Sequence, residues 1–261
     1  TLQKIDVDKG NDRENWNESF VYGGTPGQSF EQSNDNQIKI KLEVGSSMQI
    51  ANILLTDDSS SPGIQILPIP KKSKSFQLKA DINSSQEIES VKAAFNGKEY
   101  LMQKKGQYEA NLSLNYYDRA GNYTIIITVK SINGESATKE ITFEYLGILS
   151  SSLSVNELNF GIVDKDSYSN ELQVSVMNEG NIDLDLEVTG SDLKNGNNII
   201  PSSNIEVLDE DWITLSKQPK LIDTLISPGL NSKKDLKFRV KVPQTSQGNY
   251  EGKIEIIGLE K

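Results

Sequence analysis

A period of two runs through this chain almost from end to end, and it narrows the possible folds more than any other feature. At 38–44, "IKIKLEV" puts Ile38, Ile40, Leu42 and Val44 on one side and Lys39, Lys41 and Glu43 on the other. Phe76, Leu78, Ala80 and Ile82 alternate with Gln77, Lys79 and Asp81; Leu236, Phe238, Val240 and Val242 alternate with Lys237, Arg239 and Lys241. Successive side chains of a strand point to opposite faces, so such runs bury one face of an antiparallel sheet and wet the other. No window of a dozen residues carries a helical apolar period. The chain is expected to be all-β.

Turn signals separate the runs. Asn96-Gly97 in "FNGK" is the pair favoured in a two-residue type I′ hairpin. "INGE" (132–135) is expected to do the same between 123–130 and 138–145, and "NEGN" (178–181) and "KNGNN" (194–198) punctuate the second half. Short strands at this spacing fit an immunoglobulin-like β-sandwich, and 261 residues supply the pattern twice. The expected organisation is an N-terminal polar arm over 1–37, one sandwich over 38–147 and a second over 148–261. The joint "GILSSSLS" (147–154) is short and carries Ile148, Leu149 and Leu153, which predicts a semi-rigid hinge.

The arm sets Asp6, Asp8, Asp12, Glu14, Glu18, Glu31 and Asp35 against Lys4, Lys9 and Arg13, with few apolar residues. Alone it lacks the material for a core, so it is expected to lie on a surface of its own chain or of a neighbour. "ESFVYGG" (18–24) has the β propensity to pair with a free sheet edge. The arm is thus expected to be a donor strand, a segment packed in cis, or the end of a preceding module. The chain starts at Thr1, so any leader is expected to have been removed or to lie outside this sequence.

Composition removes several chemistries. The chain has neither cysteine nor histidine, which excludes disulfides, thiolate zinc sites and Ser-His or Cys-His nucleophilic catalysis. A net charge of −10 without a basic stripe disfavours nucleic acid. No run approaches the roughly 18 apolar residues of a membrane-spanning helix. Carboxylate, Lys or Tyr chemistry would remain, but with 37 acids nothing isolates a catalytic pair. The chain is expected not to be an enzyme and to have no cofactor.

"NYYDRAGNYTIIITVK" (115–130) places Asp118 and Gly121 in a turn and Tyr123 at the head of a strand whose inward face continues through Ile125, Ile127 and Val129. A Tyr at that place in a sandwich reaches back to backbone across the corner. "QGNYEGKIEII" (247–257) echoes it, with Tyr250 ahead of Gly252, Ile254 and Ile256. Both tyrosines are expected to be structural corners.

Calcium is the ion that oxygen ligands alone would suit. Asp6, Asp8 and Asp12 begin like a calcium loop, but Gly10 and Asn17 stand where further ligands belong. Asp209 and Asp211 in "LDEDW" would share a strand face. A solvated acidic surface is the favoured expectation for each cluster. Trp212, next to Asp211 and Ile213, is expected to be partly buried rather than a sugar platform. Sequons occur at Asn17, Asn83, Asn111 and Asn122; with 23 Asn and 41 Ser plus Thr, chance supplies about four. Asn111 is expected on the outer face of its strand and Asn83 in a polar turn, both accessible for glycosylation on an exported protein.

"YYDRAGNYTIIITVKSINGESATKEITFEY" (116–145), with "IESVKAAFNGKEYLM" (88–102) and "ILLTDDSSSPGIQILP" (53–68), resembles the Ig-like modules of archaeal cell-surface and S-layer-associated proteins. "LSVNELNFGIVDKDSYSNELQVSVMNEGNIDLDLEVTGSDL" (153–193) resembles a second such module, related to a broader group in which N-x-G-N opens a turn. The likeness continues through 198–207 and 236–256. It implies an extracellular, non-catalytic structural protein: a subunit or stalk of a surface filament, pilus or S-layer, contacting copies of itself or other surface proteins. A non-polymerising adhesin or ligand-binding module is the alternative, and an accessory domain of a surface hydrolase a third. The modules bring no catalytic residues to carry over.

Overall fold

A computed structural model describes residues 48–261 together with two short strands, β1 (Leu2–Lys4) and β2 (Trp16–Glu18), which pair antiparallel. The chain divides into two compact units, Thr1–Gly45 and Ser46–Lys261. The alternating run at 38–44 and the acids Asp6, Asp8 and Asp12 lie outside the described residues.

The second unit is all-β and holds two apolar cores. Around the first stand β3 (Met48–Leu55), β4 (Gln65–Ile66), β5 (Lys74–Ser84), β6 (Ile88–Phe95), β7 (Lys98–Leu101), β8 (Gln103–Lys105), β9 (Gln107–Leu114), β10 (Gly121–Ser131) and β11 (Ser136–Tyr145). They form two sheets, β4-β11-β10-β6-β7 and β3-β5-β9-β8. Between the sheets lie Phe76, Leu78, Ala80, Val91, Ala93, Phe95, Leu112, Leu114, Ile125, Ile127, Val129, Phe143 and Tyr145. These are the inward positions of the period-two pattern, and burying each large side chain is worth about 1.5–3 kcal/mol. Phe76, Phe95, Tyr123 and Phe143 meet ring to ring, with Tyr123 stacked on Phe143 at 5.7 Å.

The second core is enclosed by β12 (Ser151–Leu153), β13 (Leu172–Asn178), β14 (Leu184–Gly190), β15 (Leu193–Asn195), β16 (Asn198–Ile200), β17 (Ile205–Leu208), β18 (Trp212–Thr214), β19 (Lys220–Ile226), β20 (Lys233–Val240) and β21 (Ile254–Glu260). Its sheets are β12-β13-β20-β17-β18 and β19-β14-β21, with β15-β16 as a separate hairpin. Val174, Val176, Leu184, Leu186, Val188, Val207, Ile222, Leu236 and Phe238 fill the space between the two larger sheets. The sandwiches are immunoglobulin-like, and the only helix among the described residues is a single 3-10 turn at Ser202–Asn204.

The turns follow their residues with one difference. Asn96 and Gly97 both sit left-handed, at φ 48 and 71, and close Phe95 onto Lys98 as a type I′ turn requires. "INGE" does not repeat this. Only Gly134 is left-handed, and its N–H donates to the Ser131 carbonyl, so the loop is a wider turn ending in a glycine bulge. The expected joint is also shorter than its serines imply, because Ser151–Leu153 pair with β13 as strand β12.

Candidate functional site

Polar side chains from both sandwiches converge where the two meet. The β13–β14 turn of the second sandwich, Asn178 to Asp183, faces the loops at 68–72 and 115–120 of the first. Asn178 shapes the turn: its side-chain amide donates to the Ile182 and Ile226 carbonyls, and its Oδ1 accepts from Gly180 N–H. Asn181, only 1% exposed, then takes hold of the connecting segment. Its Nδ2 donates to the Leu146 carbonyl at 2.8 Å, and its Oδ1 accepts from Ile148 N–H at 2.7 Å. Its backbone N–H donates to the Ile148 carbonyl, and its own carbonyl accepts from Ala120 N–H of the first sandwich.

Gly180 makes that grip possible. A Cβ there would lie 2.1 Å from the Ile148 carbonyl oxygen, inside van der Waals contact with backbone that has nowhere to go.

Two ion pairs flank this neutral hub. Lys71 Nζ meets Glu179 Oε1 at 2.7 Å, Ser152 donates to the same oxygen, and Lys71 N–H donates to the Glu179 carbonyl. Lys71 does this from φ 59, a left-handed backbone that costs a non-glycine residue on the order of 1 kcal/mol. Arg119 donates to Asp183 from both terminal guanidinium nitrogens, Nη1 to Oδ2 and Nη2 to Oδ1, each at 3.1 Å. The side-chain bonds from Lys71 and Ser152 hold the Glu179 carboxyl below its ordinary range, and those from Arg119 and Ser227 do the same for Asp183. Lys71 in turn titrates above its ordinary value, chiefly through its bond to Glu179.

The loop carrying Arg119 and Ala120 is fixed from behind by the corner. Tyr123 Oη donates to the Arg119 carbonyl at 2.8 Å. Tyr145, fully buried, donates to the Asn115 carbonyl, and Asp118 Oδ2 accepts from Asn115 N–H at 2.7 Å. Burial first and the Asp118 carboxylate second raise both phenols above their ordinary value. Tyr145 escapes sequence reasoning because it ends an alternating run as one more inward residue.

Tyr250 has a different setting. It is half-buried, four residues ahead of β21, and makes no hydrogen bond among the described residues; Glu251 beside it pairs with Lys194 instead. The Gly-Asn-Tyr echo is therefore not a second corner.

Asp209 and Asp211 do not share a strand face. They occupy the loop between β17 and β18, where Asp209 N–H donates to the Asp211 carbonyl, and no group of three or more acids is placed to hold a metal ion among the described residues. Asn83 is exposed as expected but sits on β5 opposite Gln49, not in a turn. Asn111 on β9 and Asn122 on β10 are exposed on outer faces, and Asn17 lies on β2. An open polar groove of about 330 Å³ beside the bulge in β3 contains Asp81, whose two oxygens accept from Asn52 and Gln107. That carboxylate is occupied in a side-chain network rather than set against a second acid.

Trp212 is half-buried. Arg239 lies over its ring at 3.8 Å and over the Tyr168 ring at 4.1 Å, while Arg239 Nε donates to Glu206 Oε2 at 2.7 Å. Tyr168 Oη donates to the other oxygen of Glu206. Sequence alternation puts Arg239 on the outer face of β20, but nothing local to it announces the two rings.

No family model matches the chain, and no curated protein does. Among solved structures it is similar to the fibronectin(III)-like modules of CbhA from Clostridium thermocellum, at 13% identity over 79% of this chain and 86% of that one, with a TM-score of 0.26. It is also similar to the CsuC–CsuE chaperone–tip subunit complex of Acinetobacter baumannii, at 11% identity over 74% and 96%, TM-score 0.35. A third is SGBP-B of Bacteroides ovatus with a mixed-linkage heptasaccharide, at 13% identity over 83% and 46%, TM-score 0.28. These likenesses carry nothing about what this chain binds.

Proposed function

We propose that this chain is a non-catalytic structural module of an extracellular surface assembly, a subunit or stalk of a filament or S-layer-like array whose partners are copies of itself or other surface proteins. One observation supports it above the rest: the Asn178–Asp183 turn bonds to both sandwiches and to the segment between them. Two domains on a free tether need no such device. A module that must hold its neighbours at a fixed angle does. The archaeal surface setting rests on the resemblance of 53–145 and 153–256 and on nothing else. Donation of a strand from the arm to a neighbour's sheet edge is the assembly route this reading favours, with heterologous contacts that need not close.

A second reading has its own support. In the first sandwich the chain enters at Met48, opposite Ser84 and away from the joint, and leaves at Tyr145 beside it. In the second it enters at Ile148–Ser150 and reaches Lys261, whose N–H donates to the Asp183 carbonyl; both places touch the same turn. The pole carrying residues 161–168 and 193–200 lies at the opposite end of β13, β14 and β20 from that turn and presents loops, as an adhesin's binding face would.

The native mass of the full chain separates the two. A concentration-dependent oligomer that becomes monomeric on deletion of residues 1–37 supports assembly through the arm. A monomer at high concentration refutes assembly and leaves the tip reading. An oligomer that survives the deletion refutes strand donation alone.

A further inference from the structure

An uncovered sheet edge carries a row of unspent backbone groups, and most edges of these sandwiches are defended. β4, β7, β8, β12 and β18 run only two to four residues. β3 is longer, but Lys139 Nζ donates to its Ile50 and Ala51 carbonyls. β21 sets Glu255 and Glu260 along its run and has a glycine at 258. β19 lacks these defences. Its seven residues, KLIDTLI, put Ile222, Thr224 and Ile226 on the core side and leave Leu221 and Leu225 each 57% exposed on the other. A strand apolar on both faces belongs inside a sheet, yet β19 stands at the end of β19-β14-β21. Its outward charge, Asp223, is held by Lys261 Nζ. β19 is also short of partners. Ile222 lies opposite Leu186 and Ile226 opposite Leu184, and between those pairs 223–225 have no partner on β14. The Thr224 hydroxyl is buried, on a residue 3% exposed, and bonds to nothing among the described residues. Buried polar groups are nearly always satisfied, so an unmet hydroxyl on an open edge strand marks where a further strand would lie.

We infer that the edge of β19 is the acceptor for residues 19–24 of a second copy of this chain, which deepens the strand-donation route proposed above and rests on it. Residues 19–24, SFVYGG, lie outside the described residues. Their sequence alternates Phe20 and Tyr22 with Ser19 and Val21, so a strand there would bring apolar side chains to both faces. That is what an edge apolar on both faces can pair with and cover. The tether allows it. The chain between Gly24 and Met48 extends to at most about 80 Å, several times the length of a seven-residue strand. It enters its own first sandwich at the end away from the joint, so a neighbour's second sandwich stacked there is within reach. Donor and acceptor lie on different parts of the chain. The contact is therefore heterologous and repeats without closing.

Two variants of the full chain separate donor from acceptor. Leu225→Lys puts a charge on an exposed position of the edge, and Val21→Pro removes a ladder N–H from the donor. Sedimentation is expected to show oligomers for the wild type and monomers for either variant alone. Mixed one to one, they are expected to give a dimer of one copy each and nothing larger, since one keeps its donor and the other its acceptor. Leu221→Lys, on the same exposed side, should behave as Leu225→Lys does. If both lysine variants still form oligomers while deletion of residues 1–37 abolishes them, β19 is not the acceptor and strand donation stands. Monomers from the lysine variants with oligomers from Val21→Pro would make the occupant a second copy's β19 and overturn the assignment to the arm. Two monomeric variants whose mixture stays monomeric overturn the pairing. A wild type that is monomeric at high concentration removes strand donation itself, and this acceptor with it.

Discussion

Asn181→Ala tests the joint most directly. The substitution removes one acceptor and one donor from a site that is 1% exposed, stranding Ile148 N–H and the Leu146 carbonyl. An unsatisfied buried backbone group costs about 1–3 kcal/mol. Two such groups give about 2–6 kcal/mol, and water admitted at the edge of the joint returns part of it, so about 2–4 kcal/mol is the expected loss. The loss falls on the contact between sandwiches, because neither core contains Asn181. Calorimetry should therefore resolve one cooperative transition of the wild type into two in the variant. Backbone ¹⁵N relaxation at 25 °C should show the two sandwiches changing from one shared rotational correlation time to separate ones. A variant that still unfolds in one step, with both sandwiches tumbling together, would refute the claim that this side chain couples them.

Further outcomes follow from the same geometry. Gly180→Ala forces a Cβ against the Ile148 carbonyl, and relaxation should show the same uncoupling without loss of either core. Tyr123→Phe keeps the stack on Phe143 and removes one hydrogen bond, so urea unfolding should show about 1 kcal/mol lost; an unchanged midpoint sinks the corner role. Glu179 and Asp183 titrate below their ordinary range, so their share of the joint is fully present above that range and disappears as pH falls through their lowered values. Melts recorded from pH 7 to 2 should hold level until the carboxylate range and then drop, and high salt should flatten that drop because Lys71 and Arg119 are exposed. EDTA should leave the melting temperature unchanged as far as Asp209 and Asp211 are concerned; a fall of several degrees restored by calcium would make their loop a metal site.

The alternation in "SFQLKADI" and "DLKFRVKV" determined strands and their inward faces, since facing is decided within two residues and needs no distant partner. Asn96-Gly97 likewise carried its turn, because left-handed backbone is a local preference. Tyr123 was legible as a corner for the same reason, its carbonyl partner lying four residues away. The joint was not. Arg119 and Asp183 are 64 residues apart, Lys71 and Glu179 108, and one sequence holds no trace of which acid a given base will meet. "NEGN" read as a turn, and only packing made Asn181 the clasp between sandwiches. Arg239, Trp212, Tyr168 and Glu206 each looked like ordinary outward residues on separate strands and a loop. Sheet order alone brought them together, and sheet order is decided by the burial of whole faces rather than by any residue on them.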